Sequence, residues 1–152
     1  WFEEKGEQIV IFEDDASRLV VGFSSFSNAT ALNAKTTLKT TITKYGVPKQ
    51  LITDHGPQFT SLPRETCAKP MPNEFQKFLS EIGIKHIKSR VKHPQTNGKV
   101  ERLYQTLREL KQHLGSWDRS VEYYNYERPH LSLENGKLRT PYQAFLDKMR
   151  KN

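Results

Sequence analysis

Two acids in this sequence have neighbours that would let a carboxylate do chemistry. Asp54 ends the short apolar run 49–53 (KQLIT) and is followed at once by His55, Gly56 and Pro57. Such a sequence must turn sharply, which leaves the carboxylate exposed at the edge of a sheet. A carboxylate so placed suits a hard cation such as Mg2+, which takes oxygen ligands and keeps water and phosphate in its remaining positions. Taken alone, an aspartate in this setting more often starts a turn or caps a helix. Glu101 lies one residue from Val100 and two from Leu103, at the boundary of a helix's polar face. A lone helical glutamate is more often a solvated charge. Its surroundings shift that balance, because Asn97, Gln105 and Arg108 stand four residues before it, four after and seven after, all on one face. The segment 92–98 (KHPQTNG) ahead of it could be a mobile connection that supplies amide and imidazole contacts to phosphate, or an ordinary link between strand and helix.

The elements that would have to position these acids can be read from periodicity. Residues 8–13 (QIVIFE) and 19–24 (LVVGFS) are β-rich runs separated by DDASR, and read as an antiparallel hairpin. From Asn28 as N-cap, Ala31, Ala34, Leu38, Ile42 and Tyr45 recur at helical spacing up to Gly46. Residues 49–53 form a strand ending at Asp54, and 63–73, with three prolines, form a surface loop. Residues 74–82 read as a helix and 84–89 as a strand. Val100, Leu103, Leu107, Leu110 and Leu114 then step by 3, 4, 3 and 4 to Gly115, which predicts a helix over 98–114. Two more helices are predicted over 117–126 and 141–150, the second with Thr140 as N-cap and Pro141 in its first turn, and the residues between them as a loop. The order β-β-α-β-α-β-α-α-α implies a mixed sheet with helices packed on it.

The 152 residues have the size of one domain. Their hydrophobic fraction of 35% and mean hydropathy of −0.76, with no long apolar run, exclude a membrane-spanning helix. The acidic N-terminus WFEEKGEQ does not resemble a signal peptide. A single cysteine, Cys67, rules out an internal disulfide or a cysteine-rich zinc site and fits a reducing compartment, so the expected location is the cytoplasm. The 24 Lys and Arg against 17 acids give a net charge of +7, which favours a polyanionic partner, nucleic acid before membrane.

Residues 51–61 (LITDHGPQFTS) and 93–108 (HPQTNGKVERLYQTLR) resemble the second-Asp and Glu motifs of the retroviral-integrase and insertion-sequence-transposase superfamily. YNYERPHLSL and TPYQAF downstream resemble the tail of its bacterial and archaeal transposase branch, so the likeness runs through nearly the whole chain. The resemblance implies a ribonuclease-H-like fold, one catalytic core over 1–152 extended by the helices from about 116, and phosphoryl transfer on DNA with two Mg2+ or Mn2+ ions. It makes Asp54 and Glu101 the catalytic and metal-holding acids. Asn97, Lys99, Gln105 and Arg108 become candidate DNA contacts, since helical spacing would let them face DNA. It also implies a homo-multimer acting on paired DNA ends, inside a prokaryotic cell and associated with its nucleoid. The 46 residues between Asp54 and Glu101 exceed the spacing of compact retroviral members, and the proline-rich loop accounts for the excess.

In that family the first aspartate stands on a strand ahead of the hairpin strand, and counting back places it immediately before Trp1. Two of three expected ligands are therefore in this sequence, and the 152 residues alone should be inactive. Asp14 and Asp15, at the far end of the next strand, are expected to be a turn acid and a partner for Arg18. Strand transfer requires deprotonating water or a 3′-hydroxyl and stabilising a leaving alkoxide, which two metal ions about 3.5–4 Å apart can do together. The expectation is that Asp54 and Glu101 converge beside the Trp1 end. Three other readings remain: a ribonuclease-H-like nuclease that cuts without joining, an inactive DNA-binding or multimerisation module of a decayed element, and a structural protein with a basic surface. Retention of both acids speaks against decay.

Overall fold

A computed structural model describes residues 1–61, 71–89, 94–133 and 138–150. The elements run β1 (Phe2–Glu4), β2 (Glu7–Glu13), β3 (Val20–Phe26), α1 (Ala31–Tyr45), β4 (Gln50–Thr53), α2 (Glu74–Glu81), β5 (Lys85–Lys88), α3 (Pro94–Leu114), α4 (Trp117–Tyr126) and α5 (Pro141–Met149). One sheet has the order β1-β2-β3, and β4 pairs with β5 in a second. The chain divides into two compact units, Trp1–Val10 with Ser24–Pro94 and Ile11–Phe23 with Gln95–Asn152.

In the first unit, β1 is a strand that the sequence pattern did not mark. It pairs antiparallel with β2, with Phe2 opposite Ile9 and Glu4 opposite Glu7. The two-residue turn between them holds Lys5 and Gly6 at φ 51° and 82°, the left-handed pair whose twist suits a tight hairpin. Helix α1 is capped by Thr30, not Asn28: the Thr30 hydroxyl accepts from the Asn33 N–H at 3.1 Å, while the Asn28 carbonyl accepts from the Asn33 amide. Its buried face is Ala34, Thr37, Leu38 and Thr41. Thr37 and Thr41 can replace the expected Ile42 and Tyr45 there because their hydroxyls donate to the Asn33 and Thr37 carbonyls, one helical turn back. Strands β4 and β5 are parallel, with Leu51 opposite His86 and Thr53 opposite Lys88. Helix α2, on the connection between them, is closed by a capping box of Asn73 and Gln76. Of the expected proline-rich loop, residues 63–70 lie outside the described residues. Phe2, Ile9, Val10, Ala34, Leu38, Phe59, Phe75, Phe78, Leu79 and Ile84 form the apolar core of this unit.

In the second unit, the turn between β2 and β3 is built on Asp14, whose carboxylate accepts from the Ser17 N–H at 2.8 Å and the Ser17 hydroxyl at 2.6 Å. Asp15 pairs with Arg18 at 2.8 Å, the roles expected of both acids. Helix α3 begins at Pro94, one turn earlier than its apolar stripe announces, so residues 94–98 are helical and not a mobile connection. Proline suits the first turn, where its missing N–H costs nothing, and Gly98 is carried in the interior. Residues 90–93 lie outside the described residues. Leu103 and Leu107 are buried, and Gly115 at φ 84° ends the helix. Helix α4 is pinned to β3 by Asn125, whose side chain accepts from the Val20 N–H and donates to the Val20 carbonyl, both at 2.9 Å. Helix α5 starts as expected, with Thr140 as N-cap and Pro141 following. Among the described residues no helix is long and apolar enough to cross a membrane.

Candidate functional site

Asp54 is the first residue after β4 and is exposed, while Thr53 before it is buried. One carboxylate oxygen, Oδ1, accepts from the Gly56 N–H at 2.7 Å, which bends the chain directly after the strand. The Gly56 carbonyl then accepts from the N–H groups of Phe59 and Thr60, both at 3.0 Å. A Cβ at residue 56 would fall 2.3 Å from Nε2 of Gln58, whose side chain is buried, so the turn leaves room only for glycine unless Gln58 moves. The turn therefore holds Oδ1 and leaves Oδ2 without a hydrogen bond among the described residues.

Both histidines near this strand end brace it. The Thr53 hydroxyl donates to the Asp54 carbonyl at 3.0 Å and also contacts Nε2 of His86 at 2.8 Å. Since a hydroxyl has one proton, His86 must be the donor in that second bond. His55 donates from Nε2 to the Ser89 carbonyl at 2.6 Å, and the Ser89 N–H donates to the Thr53 carbonyl at 2.8 Å, extending the β4–β5 ladder by one rung. A row of edge-to-face rings runs alongside, from Trp1 to Phe59 at 6.3 Å, Phe59 to Phe75 at 5.2 Å and Phe75 to His86 at 6.2 Å. Burial pushes the Trp1 amino group below its ordinary pKa, and the Asp54 carboxylate pulls it back up. Asp54 thus lies within electrostatic reach of the Trp1 nitrogen.

In the second unit, Glu101 sits on α3, exposed, and its carboxylate makes no hydrogen bond or ion pair among the described residues. Gln105 donates to Glu109 at 3.1 Å, and Arg108 is half-buried and already partnered. Asn97 lies in α3, but its side chain is outside the described residues. Lys99 pairs with Asp15 at 3.0 Å, so this expected phosphate contact has a protein partner of its own. The pair is largely exposed and can exchange with another anion at little cost. Asp15 is held below its ordinary pKa, first by the hydrogen bond from Lys99.

One acid here was missed. Glu13, at the end of β2, is half-buried, and burial raises its carboxyl from 4.5 to about 7 against the opposing pull of Arg18 and Lys99, with Asp15 and Asp14 pushing it further up. The period of two along 9–13 held the clue, since it places Glu13 on the face of Ile9 and Ile11. Tyr124 is raised too, by burial first and Glu13 second.

The donor chemistry fits a hard divalent cation in kind: Asp54 and Glu101 each present carboxylate oxygen that makes no hydrogen bond or ion pair among the described residues. Among the described residues no group of three or more metal-binding side chains forms. Asp54 belongs to the first unit and Glu101 to the second, with Lys99, Gln105 and Arg108 on the same helix as Glu101.

Two family models, each described as an integrase core domain, match residues 5–94 and 82–141. The first spans Asp54 and the second Glu101. The transposase of transposon Tn552 from Staphylococcus aureus is 30% identical over 136 residues, covering 78% of this chain and 26% of that protein. The Gag-Pro-Pol polyprotein of Mason-Pfizer monkey virus is 38% identical over 93 residues, covering 57% of this chain and 5% of that protein. The chain thus spans about a quarter or less of the length of these curated relatives. Among solved structures, the catalytic core domain of BIV integrase superposes with a TM-score of 0.64 at 20% identity, covering 95% of each chain. The HTLV-2 integrase catalytic core domain in complex with magnesium, in a dimeric form, gives a TM-score of 0.64 at 18% identity, covering 91% of this chain and 92% of that one. The fold is therefore that of retroviral integrase cores, the ribonuclease-H-like α/β arrangement expected from the motifs.

Proposed function

The chain belongs to the integrase core domain family, and from that premise we propose that it is the catalytic core of a DNA transposase or integrase that cleaves DNA and transfers the cut strand. The observation that carries this reading is the end of β4: an exposed Asp54 carboxylate whose Oδ2 has no hydrogen bond among the described residues, braced from behind by Thr53. Asp54 and Glu101 are the catalytic acids and the holders of two Mg2+ or Mn2+ ions. Such ions, when bound, activate the attacking hydroxyl and stabilise the leaving oxygen.

Asn97, Lys99, Gln105 and Arg108 line the Glu101 helix as contacts to the DNA backbone, and Lys99 exchanges Asp15 for phosphate when DNA arrives. The residues after about 116 extend the core, and within the second unit Asn125 ties α4 to β3. The partners are DNA ends and further copies of the chain, in line with the dimeric form of the HTLV-2 integrase core. The setting is the interior of a prokaryotic cell, at its nucleoid. Incubating the natural protein with labelled element ends and Mg2+ tests the reading: joined products that vanish with EDTA and with Asp54→Asn support it, and joining that survives Asp54→Asn rejects it.

A further inference from the structure

We propose that His86 is a positioning residue for Asp54, acting through the Thr53 hydroxyl; the inference rests on the reading of Asp54 as a metal-holding carboxylate. The β4–β5 register sets up the contact. Leu51 stands opposite His86, and Thr53, two residues further on, points to the same side, so the imidazole reaches it diagonally across the parallel pair. The bonds form a directed chain: His86 Nε2–H donates to Thr53 Oγ1, and Thr53 Oγ1–H donates to the carbonyl of Asp54. Neutral with its proton on Nε2, or fully protonated, His86 can make the same donation, so the chain does not depend on titration.

Each end of this chain is anchored. Phe75, on α2, meets the His86 ring edge-to-face at 6.2 Å and interplanar angle 80°, which restrains the imidazole. Phe75 is fully buried and is itself held by Phe59. At the other end the Asp54 peptide is fixed on two sides, its carbonyl by Thr53 and its Oδ1 by the Gly56 N–H. With both constraints present, Oδ2 leaves the strand in one direction. Without Thr53's bond, the Asp54 carbonyl loses that constraint, and the carboxylate is held less firmly in the orientation a metal needs. Groups that orient a metal-holding side chain in this manner typically change metal affinity by about 10–100-fold when removed.

The test uses the natural protein and reads Mn2+ binding by water-proton relaxation, without DNA. Thr53→Val keeps the shape and removes the hydroxyl, whereas Thr53→Ser keeps the hydroxyl. His86→Ala removes the donor, whereas His86→Gln retains an N–H. The expected result is at least about 10-fold weaker Mn2+ binding for Thr53→Val and His86→Ala, with Thr53→Ser within about twofold of the parent, in line with the range for such groups. The double variant Thr53→Val with His86→Ala should bind no more weakly than either alone, because both break one chain. Melting temperatures of the metal-free variants separate this role from simple stability. Mn2+ affinity unchanged in Thr53→Val, measured well below its melting temperature, overturns the inference and leaves the reading of Asp54 standing. Mn2+ affinity unchanged in Asp54→Asn overturns both.

Discussion

Glu13 makes the stability of this chain fall as pH rises through neutrality. In the folded state its carboxyl titrates near 7, whereas an unfolded glutamate titrates at 4.5. A group whose folded pKa is raised holds its proton more tightly when folded, so its contribution is fully present below the unfolded value and is lost as pH rises through the folded one. The window is therefore about pH 4.5 to 7.5. A shift of this size corresponds to roughly 3 kcal/mol at 1.36 kcal/mol per pKa unit, and partial exposure reduces the expected loss to about 2 kcal/mol. The charged groups acting on Glu13 are Arg18 and Lys99, which favour ionisation, and Asp14 and Asp15, which oppose it; Tyr124 feels its charge in turn. Glu13→Gln keeps the shape and removes the titration. The assay is urea unfolding of both proteins at half-unit intervals from pH 4.5 to 8.5. Subtracting the two curves cancels the histidines, of which His86 and His130 are both shifted downward mainly by burial. The parent should lose about 2 kcal/mol relative to Glu13→Gln across the window, or very roughly 4–8 °C in Tm for a chain of this size. Parallel curves, or a parent that gains on the variant as pH rises, would refute the reasoning.

Asn125→Ala should destabilise the protein by about 2–4 kcal/mol, because it leaves the N–H and carbonyl of Val20, a residue only 3% exposed, without their partners; chemical denaturation measures this, and a loss under about 1 kcal/mol would contradict it. Affinity for duplex DNA should be nearly independent of sequence and should fall steeply with salt, because a +7 chain offers phosphate contacts and its motifs include no recognition helix; fluorescence anisotropy at several salt concentrations would disprove this by returning a flat, sequence-selective affinity. Asp15→Asn frees Lys99 and should strengthen low-salt DNA binding severalfold with little change in stability, the exposed pair being worth under about 1 kcal/mol; unchanged or weaker binding would remove Lys99 from the DNA surface.

The end of β4 was legible because Asp54 closes an apolar run and the following His55, Gly56 and Pro57 announce a turn, and α4 spans the residues expected of it, Trp117–Tyr126. What escaped is non-local or breaks a residue's usual habit. β1 is three residues long and turns through Lys5 at positive φ, a position where sequence reasoning looks for Asn or Gly. Thr37 and Thr41 look polar until their hydroxyls are seen to bond one turn back. Helix α3 takes in residues 94–97 ahead of the expected start at Gly98, where Pro94 reads as a loop residue. The contact of His86 with Thr53 depends on the register of two parallel strands whose contacting residues are 33 apart, and no local period reports it. Glu13 lay on an apolar face by simple alternation but stood at the end of the predicted strand 8–13, where its charge drew no notice.

The central claim is that Asp54 and Glu101 are carboxylates that hold the ions for DNA strand transfer. One Mg2+-dependent joining assay, run side by side on the natural protein and on that protein with Asp54→Asn or Glu101→Gln, tests it most directly. The account predicts joining by the parent protein alone, with each substitution lowering it by about 1,000-fold or more while DNA binding stays within about threefold, since each removes a metal ligand and adds no clash. Robust joining by either substituted protein would contradict it.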